Sequence, residues 1–206
     1  MPGSSLWLLP PPSHPLHSRL TTLISTTCPS YFASASPRPP TFIPHVTLTS
    51  EIPTTASATL ASSDADPQAW LDALPLPAAD DVRVRFQALD TEDVFFRRLT
   101  VRVEKEGVRR LGTVARAWGV EGGGDRSWEK ACKWADETWR PHCSLMYAGF
   151  TVTEERRKEL ECMVKDASIS FDGEEDRGSW TGGLVVLVPT EKRIEDWKPV
   201  ATRVLQ

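Results

Sequence analysis

Short apolar or alternating runs along the chain predict the strands of a sheet. Successive side chains of a strand point to opposite faces, so alternating apolar and polar positions mark a strand with one buried face. Residues 82–86 alternate apolar with basic side chains, and with residues 94–104 they predict a hairpin that turns at residues 90–93. The predicted strands are residues 5–9, 41–49, 82–86, 94–104, 140–150, 169–171 and 183–189.

Apolar residues that recur three and four positions apart predict the helices. Ser13 is the candidate cap of the first helix, which Cys28-Pro29 should end. Asp66-Pro67 has the form of a helix start, and Thr153 should cap a charged helix. The predicted helices are residues 15–27, 69–74, 108–118, 127–139 and 154–166, and the tail from 194 to 205 should add a short strand or helix.

Two stretches predict loops. Residues 50–66 are rich in Ser, Thr, Ala and Asp, and residues 120–126 contain three consecutive glycines, so we expect both to be flexible. The glycine run does not fit a phosphate-binding loop, because neither a strand before it nor a Lys-Ser/Thr pair after it supports one. The order of elements predicts an α+β fold with antiparallel sheets, in a single domain of residues 1–206 made of two similar halves.

One motif occurs twice, as Pro-His-Val-Thr-Leu at residues 44–48 and Pro-His-Cys-Ser-Leu at residues 141–145. A given histidine begins such a motif only about 3% of the time at average composition, yet two of the four histidines here do so. One copy alone would fit a structural, half-buried histidine, but two copies favour a functional pair. We expect the two motif strands to face each other across a groove. In a strand, positions i and i+2 share a face, which predicts two projecting pairs: His45 with Thr47, and His142 with Ser144.

Composition and charge narrow the function classes. The chain has 206 residues, of which 40% are hydrophobic and 25% charged, and its net charge is −4. This acidic balance does not favour a stable nucleic-acid complex. The four cysteines have no C-x-x-C spacing, and with four histidines they predict no zinc cluster, so we expect neither metal nor cofactor. Without a targeting segment or a membrane-length apolar run, the default expectation is a cytoplasmic monomer.

Two imidazoles and two hydroxyls, without an acidic dyad, favour paired acid–base catalysis at phosphorus. Histidine titrates near neutrality, so one ring can accept a proton while the other donates one. Phosphodiester hydrolysis needs a base for water and an acid for the departing oxygen, placed in line. Thr47 and Ser144 would donate hydrogen bonds to the phosphate oxygens. A nucleophilic role for Ser144 is disfavoured, because no Asp is positioned to orient its base and the hydroxyl runs parallel to His142.

At these residues the sequence resembles the two-histidine phosphoesterases, and within them the cyclic phosphodiesterases of fungi and plants. The resemblance rests on residues 5–10 (Ser-Leu-Trp-Leu-Leu-Pro), 42–49 (Phe-Ile-Pro-His-Val-Thr-Leu-Thr), 95–99 (Phe-Phe-Arg-Arg-Leu) and 141–147 (Pro-His-Cys-Ser-Leu-Met-Tyr). The chain departs from the family pattern in the two predicted loops, where insertions are tolerated. The resemblance implies a bilobal fold, in which two antiparallel sheets face a central cleft with the helices outside.

The resemblance also implies an activity. It is the metal-independent hydrolysis of ADP-ribose 1″,2″-cyclic phosphate to ADP-ribose 1″-phosphate, downstream of tRNA splicing, and of nucleoside 2′,3′-cyclic phosphates to 2′-phosphates. By analogy His142 would be the base toward water and His45 the acid toward the departing oxygen, although the sequence does not settle their order. Trp7, Tyr147 and Phe96 would flank the groove and stack on a base or ribose, with a plain core position for Trp7 equally open. Family analogy further allows an association with the Golgi.

Two other functions stay open at this point. An RNA-end 2′–5′ phosphoesterase or ligase of the same superfamily would turn over an RNA end far faster than a mononucleotide. A non-catalytic module would bind a nucleotide phosphate tightly without turnover, although the presence of both histidines argues against it.

Overall fold

The computed structural model describes residues 3–53 and 66–206, and within them the chain forms one antiparallel sheet of eight strands with helices packed against it. The strands are β1 (Ser4–Leu9), β2 (Val46–Ile52), β3 (Arg83–Asp90), β4 (Leu99–Val103), β5 (His142–Met146), β6 (Ser179–Thr181), β7 (Leu184–Pro189) and β8 (Ala201–Val204). The α-helices are α1 (Pro15–Thr22), α2 (Cys28–Tyr31), α3 (Pro67–Asp72), α4 (Glu106–Gly119), α5 (Asp125–Glu137) and α6 (Glu154–Asp166).

The two motif strands are neighbours at the centre of this sheet. The strand order is β6-β3-β4-β5-β2-β1-β7-β8, and β2 pairs with β5 at a single position, Val46 with Cys143. Four strands lie on each side of this joint. The α+β antiparallel fold is therefore confirmed, but the structure differs from the expected pair of facing sheets. Because β2 and β5 pair edge to edge, the two halves form one continuous sheet, and the motif strands lie side by side.

The two faces of the sheet carry separate hydrophobic clusters. Along β1 and β7 the side chains alternate between these clusters, as the period of two requires. The helix-side core includes Leu6 and Leu8 of β1, Val46 and Leu48 of β2, and Cys143 and Leu145 of β5, together with apolar residues of α1, α4 and α6. The opposite face carries a smaller set, here called the aromatic cluster, of Trp7, Tyr147, Val186, Val188 and Trp197.

The first helix extends beyond the predicted stop. His14, and not Ser13, is its cap, because the His14 ring accepts a hydrogen bond from the Leu16 N–H. A π-helical turn at Leu23–Thr27 joins α1 to α2, and the Cys28 N–H donates to the Leu23 carbonyl. This wider turn lets the chain pass Pro29, which has no N–H to donate, without ending the helix.

Other predicted boundaries hold in part. Asp66 and Thr153 cap α3 and α6 as expected, and β3 pairs with β4 as a hairpin. The segment Phe95–Arg97 is a 3-10 turn that lengthens the connection of this hairpin, so the strand of residues 94–104 begins only at Leu99. The tail forms β8.

One predicted strand, residues 169–171, is wrong within the described chain. Ile169 instead closes the end of α6, where its N–H donates to the Val164 carbonyl while Ser168 adopts a positive φ of 58°. A left-handed residue after the last helical turn is the usual way to satisfy terminal carbonyls. The strand on this side is β6, which the sequence pattern did not predict.

The two predicted loops are shorter than expected. Residues 50–52 belong to β2, and residues 54–65 lie outside the described residues. The glycine-rich connection ends at Asp125, where α5 begins, and its three glycines all have positive φ. Flexibility of either segment stays a prediction.

Candidate active site

The joint between β2 and β5 brings the four polar side chains of the motif onto one face. Because Val46 pairs with Cys143 in antiparallel sense, His45 stands opposite Ser144 and Thr47 stands opposite His142. Val46 and Cys143 point into the helix-side core, so the flanking residues point to the other face. The strand spacing puts the two histidine Cα atoms, at diagonal corners, roughly 8 Å apart.

Both histidine rings are held by the same backbone contact. The Nδ1 atom of His45 lies 2.7 Å from the Ile43 carbonyl oxygen, and that of His142 lies 2.8 Å from the Arg140 carbonyl oxygen. A carbonyl only accepts, so Nδ1 carries the hydrogen and Nε2 of each neutral ring is unprotonated. In each copy a proline separates the histidine from this carbonyl, and its fixed φ helps to set the bend.

His45 lies in an apolar pocket. It is 2% exposed, its ring stacks on Trp7 with centroids 3.8 Å apart, and the Phe42 ring packs against it edge-on with a centroid distance of 5.9 Å. The Tyr147 hydroxyl lies 3.5 Å from its Nε2. Burial, which disfavours the charged ring, lowers the pKa of His45 to about 4. This ring is therefore neutral at pH 7 in the ligand-free protein.

His142 has a more polar setting. It is half-buried, and burial lowers its pKa, with the Arg97 guanidinium acting in the same direction. The two rings are thus supported alike by the backbone, but they differ in their surroundings.

The three aromatic residues predicted to flank a groove have different positions. Trp7 is 1% exposed and packs on His45 and Trp197, so it is a core residue and does not line an open groove. Tyr147 is 3% exposed, and its ring stacks on Phe42 at 3.9 Å. Phe96 is half-buried, and its carbonyl accepts a hydrogen bond from the Ser144 hydroxyl at 3.2 Å.

Two cavities adjoin the motif at opposite ends. The aromatic cavity, of 380 Å³, is lined by Phe95, Phe96, Tyr147 and Trp197 and by the loops at 37–40 and 190–195. It adjoins the pair His45 and Ser144, because the Tyr147 hydroxyl lies beside His45 and the Phe96 carbonyl accepts a hydrogen bond from Ser144. The second cavity, of 210 Å³, adjoins the pair Thr47 and His142. We call it the polar cavity because Thr49, Arg97 and Arg140 line it too, although Trp134 and Trp139 form an apolar part of its wall. The site can therefore receive different groups from its two sides.

The chain is similar to known proteins along its whole length. Residues 1–205 match the family described as cyclic phosphodiesterase-like protein. The chain belongs to this family. It is 44% identical over 214 residues to a protein of Neurospora crassa and 45% identical over 207 residues to one of Phaeosphaeria nodorum. Each alignment covers 100% of both chains, and each relative is named a 2′,3′-cyclic-nucleotide 3′-phosphodiesterase. The resemblance inferred from the sequence is confirmed.

Several residues that line the two cavities were not identified from the sequence. Arg97, which is ion-paired with Glu92 at 3.1 Å, lines the polar cavity, and its only sequence signal was its place in the 95–99 segment. Trp197 belongs to the tail, for which the pattern decided no structure. Thr49 lines the polar cavity, and its buried hydroxyl has no hydrogen-bond partner in residues 3–53 and 66–206.

Two further observations concern the described residues of this family member. Among them, no three His, Cys, Asp or Glu side chains are grouped so that they could hold a metal ion. None of the helices in the same part of the chain is long and apolar enough to cross a membrane.

Proposed function

We propose that this protein opens nucleoside 2′,3′-cyclic phosphates at the 3′ oxygen and releases nucleoside 2′-phosphates, by the paired action of His45 and His142. The observation that carries the proposal is the joint of β2 and β5. There, two imidazoles with unprotonated Nε2 atoms and two hydroxyls share one face of the sheet. The names of the two fungal relatives describe the same reaction.

The two cavities support opposite roles for the two rings. In phosphoryl transfer the attacking and departing oxygens lie in line on opposite sides of phosphorus. The aromatic cavity suits the nucleoside, which carries the departing O3′, and this cavity adjoins His45. The polar cavity suits water, because His142 and the hydroxyl of Thr49, which has no hydrogen-bond partner among the described residues, line it.

The reaction follows from this arrangement. His142 Nε2 takes a proton from water while the water oxygen bonds to phosphorus, and the bond from phosphorus to O3′ breaks. The Nε2 proton of His45 goes to O3′. These are the roles that the family analogy implied.

His45 must be protonated when the substrate is bound, although its pKa is about 4 in the empty site. One negative charge about 4 Å away contributes about 4 kcal/mol at an effective dielectric constant of about 20, which raises a pKa by about 3. The bound cyclic phosphate thus raises the pKa of His45 and favours its protonated form. At His142, burial lowers the pKa and the Arg97 guanidinium lowers it further against the opposing Glu92 carboxylate, which favours the neutral base.

The hydroxyls stabilise the charge that develops on the phosphate. Thr47 lines the polar cavity, and the Ser144 hydroxyl turns from the Phe96 carbonyl to a phosphate oxygen. Burial raises the pKa of Tyr147, so its hydroxyl keeps its proton and can donate beside His45. Phe96 and Trp197 provide the apolar wall for the nucleoside.

We extend the proposal to ADP-ribose 1″,2″-cyclic phosphate, the substrate that the family resemblance implies, which would yield ADP-ribose 1″-phosphate as a step downstream of tRNA splicing. This substrate has the same reacting group, a five-membered cyclic phosphate on a ribose. The same two proton transfers open it, and the proposal requires no metal ion.

The test is product analysis with a nucleoside 2′,3′-cyclic phosphate in excess EDTA. We expect full activity and only the 2′-phosphate. A 3′-phosphate product, or loss of activity that a divalent cation restores, would contradict the proposal.

A substrate with sulfur in place of O3′ tests the assignment of acid and base. A thiolate departs without protonation, so this substrate should restore the rate of His45→Ala but not that of His142→Ala. The reverse pattern would exchange the two roles.

A further inference from the structure

The mouth of the aromatic cavity carries cations that the proposed mechanism does not use. The inner wall consists of Phe96, Tyr147 and Trp197, and it adjoins His45. Arg38, from the loop before β2, and Lys192 and Arg193, from the loop after β7, line the same cavity. The cavity is therefore apolar toward the reacting site and basic toward solvent.

Two of these cations are available for a ligand. Arg38 donates only to the Ala33 carbonyl, at 3.1 Å, and Lys192 has no carboxylate within 4 Å in the described part of the chain. Arg193 is paired with Glu195 at 3.4 Å. Glu191 also lines the cavity, so the mouth has three cations and two carboxylates. Its net charge is positive, whereas that of the whole chain is negative.

The loop that carries Lys192 is fixed at both ends. The Trp197 indole N–H donates to the Lys192 carbonyl at 3.0 Å, and the Thr190 hydroxyl donates to the Gly3 carbonyl at 3.0 Å. The first of these bonds joins the backbone of Lys192 to the wall of the cavity. The backbone from which the Lys192 side chain extends at the mouth is thus fixed by the fold.

We propose that Arg38 and Lys192 form a subsite for a second phosphate of the substrate, the 5′-phosphate of the nucleoside whose cyclic phosphate lies between the histidines. The proposal rests on the function proposed above. The 2′,3′-cyclic phosphate and the 5′ carbon project from opposite faces of the ribose ring, so a nucleoside bound along the aromatic wall with its cyclic phosphate toward His45 directs its 5′ group to the mouth. Arginine and lysine are the side chains that bind phosphate oxygens with charge-assisted hydrogen bonds.

The experiment compares kcat/KM for adenosine 2′,3′-cyclic phosphate with and without a 5′-phosphate. The wild-type protein should prefer the 5′-phosphorylated substrate by about tenfold, the size expected for one charge-assisted hydrogen bond near solvent. The double variant Arg38→Gln with Lys192→Gln should lose this preference, while its rate on the substrate without a 5′-phosphate stays within about twofold of wild type. Added salt should reduce the preference of the wild-type protein.

A matched double variant, Arg126→Gln with Lys133→Gln, removes the same charge from the exposed surface of α5. It should keep the preference. If both double variants lose the preference equally, the effect is general attraction, and the subsite is refuted. A wild-type protein with no preference also refutes the subsite, whereas one that hydrolyses neither substrate refutes the proposed function instead.

The 5′-phosphate group occurs both as a monoester and within the diester of an RNA end. The same comparison with a dinucleotide that ends in a cyclic phosphate distinguishes these sources. Whichever of the two substrates the wild-type protein prefers should lose that preference in the Arg38 and Lys192 double variant. A preference that survives the substitution overturns the proposal.

Discussion

The buried ring of His45 makes the stability of this protein depend on pH in a predictable way. Its pKa is about 4 in the folded protein, against 6.5 for an ordinary histidine. Between these values the unfolded chain binds a proton at this residue and the folded protein does not, so stability falls as the pH decreases. A pKa difference of about 2.5 corresponds to about 3 kcal/mol, which is present above pH 6.5 and lost by about pH 4.

The perturbation that isolates this effect is His45→Asn. The side-chain amide of asparagine can donate to the Ile43 carbonyl, as His45 Nδ1 does, but it does not titrate. Other groups also respond to acid, so the quantity of interest is the difference between wild type and variant. We expect the wild-type protein to lose about 3 kcal/mol more than the variant between pH 6.5 and pH 4.

The assay is urea-induced unfolding over this pH range, with the histidine ring followed in parallel by NMR. The free ring should titrate near pH 4, and a bound nucleoside 2′-phosphate should move its titration up by about 3 pH units. The reasoning would be refuted if the free ring titrated near pH 6.5, or if both proteins lost stability in parallel.

Three further predictions concern the rest of the site. The pH profile of kcat should be bell-shaped, with an acid limb that reflects His142 as the base and an alkaline limb that reflects His45 as the acid in the complex. Arg97→Gln should move the acid limb to higher pH, because it removes a charge that keeps the His142 ring neutral, and a limb that did not move would exclude this role. Tyr147→Phe should lower kcat by about tenfold with little change in KM, because it removes the hydroxyl beside His45 and keeps the ring on Phe42. An increase in KM alone would instead mean that the hydroxyl serves binding.

The sequence predicted those features that depend on local periodicity. Alternation along the motif strands was enough to assign His45 and Thr47 to one face, since the opposite positions, Val46 and Leu48, are apolar. The caps at Asp66 and Thr153 were visible for the same reason, because a cap acts on backbone within its own helical turn.

Features that depend on distant contacts were not predictable. Nothing in β2 alone says that its edge pairs with β5, and this pairing turned two expected sheets into one. Trp7 looks the same in sequence whether it faces a ligand or stacks on His45. Trp197 comes from the tail, yet it reaches the aromatic cluster only because β8 returns beside β7.

The central claim is that two imidazoles on neighbouring strands act on one phosphorus atom. It is tested most directly by the rates of His45→Ala and His142→Ala on a nucleoside 2′,3′-cyclic phosphate in excess EDTA, with His17→Ala as a control outside the site. We expect each motif variant to lose about 10²- to 10⁴-fold in kcat and the control to lose nothing. If either motif variant kept a rate near wild type, the proposed pair would not be the catalyst.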